Sequence, residues 1–287
     1  MWSRISRHIL ILLLTALFGG LLAATLVRLA PGFGVDEQEY DSRLNRDSIQ
    51  ALRQTHADEK NLIHFYLGYL LGLARGELGA SHSLNRPVAE LFRERFPVTF
   101  RSVLLGCLGS WALGFGLALP GVLRRCWGYD LFTSALSGFF LCLPSAAVAL
   151  LFLFFRGPAP VAVTLVLFPR IFRYARNLLG ETFDRPHVLT ARAKGLGDAR
   201  IFVWHVLPEA APQLLALLGV SLNLALAAAI PIEVICDSPG VGQLAWQAAL
   251  GRDLPLLVNL TVLIALITIT ANSLTDLASR SLVRQPA

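Results

Sequence analysis

Charged residues are scarce in this chain, and lysine is almost missing. Of its 287 residues only 15% are charged, while 55% are hydrophobic, and the mean hydropathy is +0.59. This composition is too apolar for an ordinary soluble domain and indicates a protein that lies in a lipid bilayer. Lys60 and Lys194 are the only lysines, and neither completes the GxxxxGK[ST] loop that holds nucleotide phosphates. ATP hydrolysis by a P-loop of this chain is therefore excluded.

Patterns typical of catalysis and metal binding are missing as well. The six histidines form no HExxH pair, and the chain contains no GxSxG motif. No CxxC pair occurs among the cysteines, which we expect to be small core residues. They are Cys107, Cys126, Cys142 and Cys236. We predict no enzymatic activity, no metal site and no cofactor.

Long apolar runs dominate what is present. A bilayer core about 30 Å thick needs about 20 mostly apolar residues per helix, and six segments meet this requirement. They are Ile9–Leu29, Phe100–Leu123, Leu131–Phe155, Pro158–Leu179, Pro212–Cys236 and Leu254–Leu277. The fourth is the weakest, since Arg170, Arg173 and Arg176 follow Pro169 at helical spacing, and we interpret it as a short span that continues as a basic helix. The sequence predicts an all-α, polytopic membrane helix bundle.

Arginines in the short flanking segments alternate between the two sides of these spans. One side receives Arg4 and Arg7, then Arg124 and Arg125, then Arg170 to Arg200, then Arg280 and Arg284. The positive-inside rule makes that side cytoplasmic and places both termini there. Membrane topology also explains the net charge of +6 without nucleic acid, because no basic face with interleaved aromatic residues is present.

The boundaries of the spans divide the chain into four parts. We expect a first transmembrane helix with a cytoplasmic N-terminus at 1–30 and an extracytoplasmic segment at 31–99. A five-helix core follows at 100–282, with a cytoplasmic helical loop at about 184–208, and a short cytoplasmic tail occupies 283–287. A signal peptide is the alternative interpretation of residues 1–29. Its apolar run exceeds the usual length of about 7–15 residues, and no clear A-x-A site follows, so a retained span is favoured.

Carboxylates lie near the ends of the predicted spans rather than at the bilayer midplane. Asp130, Glu233 and Asp276 all have such positions, which argues against coupling to protons or sodium ions. Asn223 remains a polar residue that could line a path. A secondary transporter or channel not driven by ATP stays an alternative, although no inverted repeat is visible. A membrane scaffold without transport is the other.

The stretch TARAKGLGDARIFVWHVLP, Thr190 to Pro208, is polar and basic although it lies between two apolar segments. Gly195 and Gly197 are expected to end one short helix and open the next, since glycine disfavours a helix interior and suits its end. Apolar side chains recur at near-helical intervals, at Leu189, Leu196, Val203 and Leu207. Spacing alone leaves two interpretations open: a docking surface for a partner, or a solvated basic loop.

The opening span, with the Pro31 and Gly32 that follow it, and three later segments carry a family resemblance. The pattern of Thr190, Ala191 and Gly195, followed by Leu207 and Pro208, resembles the EAA loop of binding-protein-dependent ABC importer permeases. The sequence TARAKGL resembles this loop in the dipeptide, oligopeptide and nickel branch of the family in particular. GELGASHSLNRPVAELFRERFPVT and PIEVICDSPGVGQLAWQAALGRDLPLL, at 76–99 and 231–257, resemble segments of the same branch.

The resemblance implies the type I permease fold and a place in the bacterial inner membrane. It further implies a second permease subunit as a heterodimeric partner, two ABC ATPase subunits and an extracytoplasmic substrate-binding protein. The implied cargo is short peptides, with nickel chelates, glutathione or some sugars as alternatives. Hydrolysis of ATP would belong to the partner subunits.

The resemblance also implies two contact regions. The ATPase-coupling loop would comprise Leu189, Thr190, Ala191, Lys194, Gly195, Leu196, Leu207 and Pro208. The loop facing the binding protein would comprise Pro239, Gly240, Gly242, Arg252 and Asp253. On structural grounds alone the second set is a tight turn, with Arg252 and Asp253 as helix caps. Leu189 replaces the Glu of the EAA pattern, and Pro186 is expected to start the coupling helix.

Overall fold

The computed structural model describes residues 62–124 and 126–283, together with positions 10, 14, 17–22 and 25–26. Most of the first predicted span, residues 31–61 and the end of the tail lie outside these described residues. The described part is mostly helical, as predicted, with one small hairpin in which β1 (Ala80–Ser81) pairs antiparallel with β2 (Arg86–Pro87). The helices are α1 (Leu62–Arg75), α2 (Val88–Arg124), α3 (Trp127–Cys142), α4 (Ser145–Phe154), α5 (Ala159–Phe183), α6 (Pro186–Ala193), α7 (Asp198–Ile201), α8 (Leu207–Ile235), α9 (Val241–Leu250) and α10 (Leu254–Val283).

Among the described residues, three helical segments are long and apolar enough to cross a bilayer. They are Val88–Arg124, Asp198–Ile235 and Leu254–Ser279, and they correspond to the second, fifth and sixth predicted spans. A bent pair of helices raises the number to four if it forms one span. The count of about six is therefore not confirmed, while the character of a multi-pass helical membrane protein is.

The third predicted span is not one straight helix. It consists of α3 and α4, which meet at an angle of 93°. Pro144 precedes the first residue of α4, with φ −59° and ψ 145°. A residue before proline avoids the helical region, and proline lacks the N–H that would continue the helix. The break therefore falls at Leu143 and Pro144.

The fourth predicted span belongs to α5, which runs without interruption through Pro169 and the arginines that follow. Its buried face is a helical stripe that includes Val163, Leu167 and Ile171. Arg170 and Arg173 are exposed. The helix does not meet the criterion for a membrane span, because its apolar part ends at these arginines. The predicted basic extension is thus part of the same helix.

Cysteine positions differ from the expectation of core residues. Cys107 is buried, but Cys126 and Cys142 are exposed on the surface of the chain. Cys126 directly precedes α3 and Cys142 is its last residue, so both lie at helix ends, where packing is less complete than along a helix face.

The chain forms two compact units. One consists of Met1–Arg95 and Leu244–Ile267, and the other of Phe96–Gln243 and Thr268–Ala287. Within the second unit, α8 packs against α5 and α4. The core between these helices combines aliphatic and small residues, among them Val148, Ala149, Ala162, Val163, Leu167, Ala225, Ala229 and Ile232. Small residues at helix contacts are typical of packing in membranes, since they let backbones approach closely.

Candidate functional site

Residues 184–208, named here the 184–208 loop, form a short helix, a turn and the helical approach to α8. Pro186 is the first residue of α6, as predicted, because proline fits a first helical turn. The helix ends at Gly195, whose φ is +77°. Gly195 N–H donates to Arg192 O at 2.9 Å, and Leu196 N–H donates to Ala191 O at 3.3 Å. These two bonds define a Schellman motif, which requires the left-handed backbone that glycine adopts without strain.

One face of α6 belongs to the core of the second unit. Val188 is fully buried and Ala191 is 4% exposed. Both lie in an apolar cluster with residues that precede and begin α8, including Ile201, Val206 and Ala210. Leu196 and Leu207 are partly buried against the same cluster. Three of the predicted coupling residues, Ala191, Leu196 and Leu207, therefore help to hold the loop in place.

The opposite face of α6 is open. Leu189 is 54% exposed, and Thr190, Lys194 and Pro208 are exposed as well. Apart from its two chain neighbours, no described residue has a heavy atom within 4 Å of the position that a Cβ would take at Gly195 or at Gly197. The predicted coupling residues thus separate into an anchored face and a free face.

A π-helical turn, Phe202–Val206, joins α7 to α8. Val203 and Trp204 of this turn are 50% and 72% exposed. Phe202 stacks on Phe183, the last residue of α5, with ring centroids 6.4 Å apart. Sequence reasoning included Val203 as an apolar side chain of the loop but missed Trp204. An aromatic residue beside Val203 in a basic segment was the available signal.

Glu209, in the first turn of α8, contacts the beginning of α6. Its Oε1 accepts a hydrogen bond from Arg185, and its Oε2 lies 3.0 Å from Nε2 of His187. Sequence reasoning also missed this carboxylate. Its position next to Pro208 indicated only a favourable charge near a helix N-terminus.

Residues 236–253, named here the 236–253 connection, are organised in part by Glu233. This side chain has no exposed surface, and its Oε2 accepts a hydrogen bond of 2.7 Å from Gly242 N–H, in the first turn of α9. Beside it, Thr99 Oγ1 accepts a bond of 2.7 Å from Val241 N–H. Two side chains from outside α9 therefore satisfy backbone donors at its N-terminus, which would otherwise have no partner.

Gly240 and Gly242 are buried next to Glu233. A Cβ at Gly240 would overlap the Glu233 carboxylate, and a Cβ at Gly242 would lie 2.6 Å from Ile230 Cα. The absence of a side chain at these positions therefore has an internal reason. Of the five residues predicted to face a binding protein, Pro239 and Arg252 are exposed.

Asp253, the fifth of these residues, caps α10. Its Oδ1 accepts a hydrogen bond of 3.0 Å from Leu256 N–H, which is the bond of a helix N-cap. Its Oδ2 accepts bonds from Ser81 Oγ at 2.5 Å and from Ser83 N–H at 3.0 Å. The capping interpretation of Asp253 is confirmed, and the same carboxylate fixes the hairpin that contains β1 and β2.

Asn223 lies in the middle of α8 and has a polar partner. Its Nδ2 donates to Asn272 Oδ1 at 2.8 Å. Asn272 belongs to α10, so the two amides connect two membrane-crossing helices. Such interhelical bonds are a common feature of membrane bundles.

The family of the chain follows from comparison with known proteins. Residues 110–285 match the family described as "Binding-protein-dependent transport system inner membrane component", which is more than half of the chain. The chain therefore belongs to this family of membrane transport components.

Similar curated proteins are peptide and glutathione permeases. The di/tripeptide transport system permease protein DppB of Pseudomonas aeruginosa is 27% identical, with 96% of each chain covered. The oligopeptide transport system permease protein OppB of Haemophilus influenzae is 28% identical, with 88% of each chain covered. The glutathione transport system permease protein GsiC of Pectobacterium atrosepticum is 28% identical over 94% of this chain and 91% of that protein.

A solved structure of the same fold comes from the MetNI methionine ABC transporter in an inward-facing conformation. The TM-score is 0.60 at 19% identity, over 68% of this chain and 97% of the other. The predicted ABC importer permease fold is confirmed by this likeness. Together with the family match, its long apolar helices make the chain an inner membrane component of a binding-protein-dependent transport system and a multi-pass membrane protein.

Proposed function

We propose that this chain carries short peptides across the bacterial inner membrane together with a second permease subunit. Two ABC ATPase subunits supply the energy, and an extracytoplasmic binding protein delivers the cargo. The names of the relatives support peptides, while the glutathione permease among them keeps glutathione, itself a small peptide, as the second candidate.

The open face of the 184–208 loop carries this proposal. Leu189 and Trp204 expose more than half of their surface, and Lys194 and Gly195 of the same loop are exposed as well. Exposed apolar residues beside a thin backbone suit close contact with a protein groove. In the proposed arrangement this face docks on an ATPase subunit and lies, like both termini, in the cytoplasm.

Burial of the other face explains how such docking would act on the membrane helices. Val188 and Ala191 are packed against residues of α8 and the turn before it. Movement of α6 therefore displaces apolar contacts at the start of a membrane-crossing helix. Packed interfaces respond to such displacement by switching between discrete arrangements.

Gly195→Arg tests the docking. We expect normal insertion into the membrane but at least a tenfold loss of tripeptide uptake, since the new side chain blocks the approach of the partner. Uptake of a labelled tripeptide is measured in cells that lack the chromosomal copy of the gene, and immunoblots of membranes report the amount of the variant. Wild-type uptake by Gly195→Arg would contradict the proposal.

A matched control separates obstruction from backbone strain. Gly195→Asn keeps the positive φ, which asparagine tolerates better than arginine, and it adds a much shorter side chain. We expect it to retain most of the uptake. A second check concerns energy supply: the purified chain alone should hydrolyse no ATP, and measurable turnover would contradict the assignment of hydrolysis to partner subunits.

A further inference from the structure

Glu209 connects the beginning of α6 with the beginning of α8. Both of its carboxylate oxygens are used: Arg185 donates to Oε1, and the imidazole of His187 lies 3.0 Å from Oε2. Arg185 is the N-cap residue of α6, and His187 lies in its first turn. One carboxylate thus holds two residues that flank Pro186.

Through its contacts with Arg185 and His187, Glu209 joins the two ends of the 184–208 loop. Arg185 is the second residue of the loop, two positions after the end of α5, whereas Glu209 directly follows the last residue of the loop. Within the loop, the ion pair between Arg192 and Asp198, at 3.4 Å, joins only α6 to α7. Movement of α6 can therefore reach α8 through two sets of contacts. One is the apolar cluster that contains Val188 and Ala191, and the other is the contact of Glu209 with the N-terminal end of α6.

We propose that Glu209 is a positioning residue that makes α6 and the first turn of α8 move together, so that displacement of the loop reaches the membrane-crossing helix. This inference rests on the proposed function, because it concerns the transmission of movement from the ATPase. The side chain of Glu209 is 30% exposed and those of Arg185 and His187 are 51% and 43% exposed. Such a pair adds little to folding, so its removal leaves the fold in place.

The test uses the complete transporter in proteoliposomes and measures peptide transported per ATP hydrolysed. Glu209→Ala should lower this ratio about fivefold, a typical coupling effect, without changing the amount of assembled complex. Arg185→Glu alone should lower it at least as much, since two carboxylates then face each other. The exchange variant R185E/E209R restores opposite charges and should return the ratio to within about twofold of wild type.

Two results would overturn the inference. One is a ratio for Glu209→Ala within about twofold of wild type; the other is an exchange variant that performs no better than the single variants. As a control, Asp276→Ala removes an exposed carboxylate from α10 and should leave the ratio unchanged. Gly195→Arg is assayed in parallel and separates the docking proposal from the Glu209 proposal. Wild-type transport by Gly195→Arg contradicts the docking. If Gly195→Arg loses transport but the Glu209 variants keep the wild-type ratio, only the transmission through Glu209 is contradicted.

Discussion

The 184–208 loop and the 236–253 connection each contain a pair of glycines with one residue between them, and the two pairs have opposite surroundings. Gly195 and Gly197 are exposed, with open space where a Cβ would be. Gly240 and Gly242 are buried against Glu233 and Ile230. In the 184–208 loop, Gly195 allows a left-handed backbone conformation, and both glycines leave the surface around them open. In the 236–253 connection, glycine serves internal packing.

This difference changes what each motif indicates about partners. An exposed glycine turn, in a loop that also exposes Leu189 and Trp204, leaves room for another protein. A buried glycine pair around a capping carboxylate shows that the chain itself already uses those positions. Contacts of the 236–253 connection with a binding protein remain a prediction, and of the five residues named for them only Pro239 and Arg252 are exposed.

Gly242→Ala should have the largest effect on stability. The added Cβ would lie 2.6 Å from Ile230 Cα and 3.0 Å from Ile230 O, and backbone atoms of a buried helix cannot move aside as a flexible side chain can. Overpacking of this kind costs about 1–3 kcal/mol, and because the contact is with helix backbone we expect the free energy of unfolding to fall by about 2 kcal/mol. Titration of the detergent-solubilised protein with SDS, followed by tryptophan fluorescence, measures this change. An unchanged unfolding midpoint would show that α9 is not packed in this way.

Asp253→Ala should have an intermediate effect. The substitution removes the N-cap of α10 and the acceptor for Ser81 and Ser83. Loss of an N-cap costs about 1 kcal/mol, and the buried serine donors bring the total to between about 1 and 2 kcal/mol. The same SDS titration reports it. Asp253→Asn keeps an acceptor oxygen and is expected to lose about half as much; equal losses for the two variants would mean that the carboxylate is not used as a cap.

Local features of both regions could be predicted from the sequence. Pro186 at the start of α6, Gly195 at its end and Gly197 before α7 follow from the preferences of proline and glycine at helix termini. The apolar runs likewise indicated three of the membrane-crossing helices. In each case the signal and the structure lie within a few residues of one another.

Features that depend on distant residues could not be predicted. The bond between Thr99 and Val241 joins positions 142 residues apart, and the burial of Glu233 depends on how α9 folds back onto the end of α8. From the sequence, Glu233 was only a carboxylate near the end of a span. The bend between α3 and α4 could be predicted only in part, since Pro144 indicated a kink but not its angle of 93°.

Gly195→Ala and Gly197→Ala should give the smallest changes in the free energy of unfolding. Together they compare two exposed glycines of the same loop that differ in backbone conformation. At Gly195 the space is open, but φ is +77°, so alanine should cost about 1 kcal/mol of backbone strain. At Gly197 φ is −71° and ψ is 152°, which alanine adopts freely, and we expect a change below about 0.5 kcal/mol. The SDS titration used for Gly242→Ala measures both. If the two variants were equally stable, the left-handed turn would not be what requires glycine at position 195, and the Schellman motif would lose its role in shaping the surface proposed to dock on the ATPase.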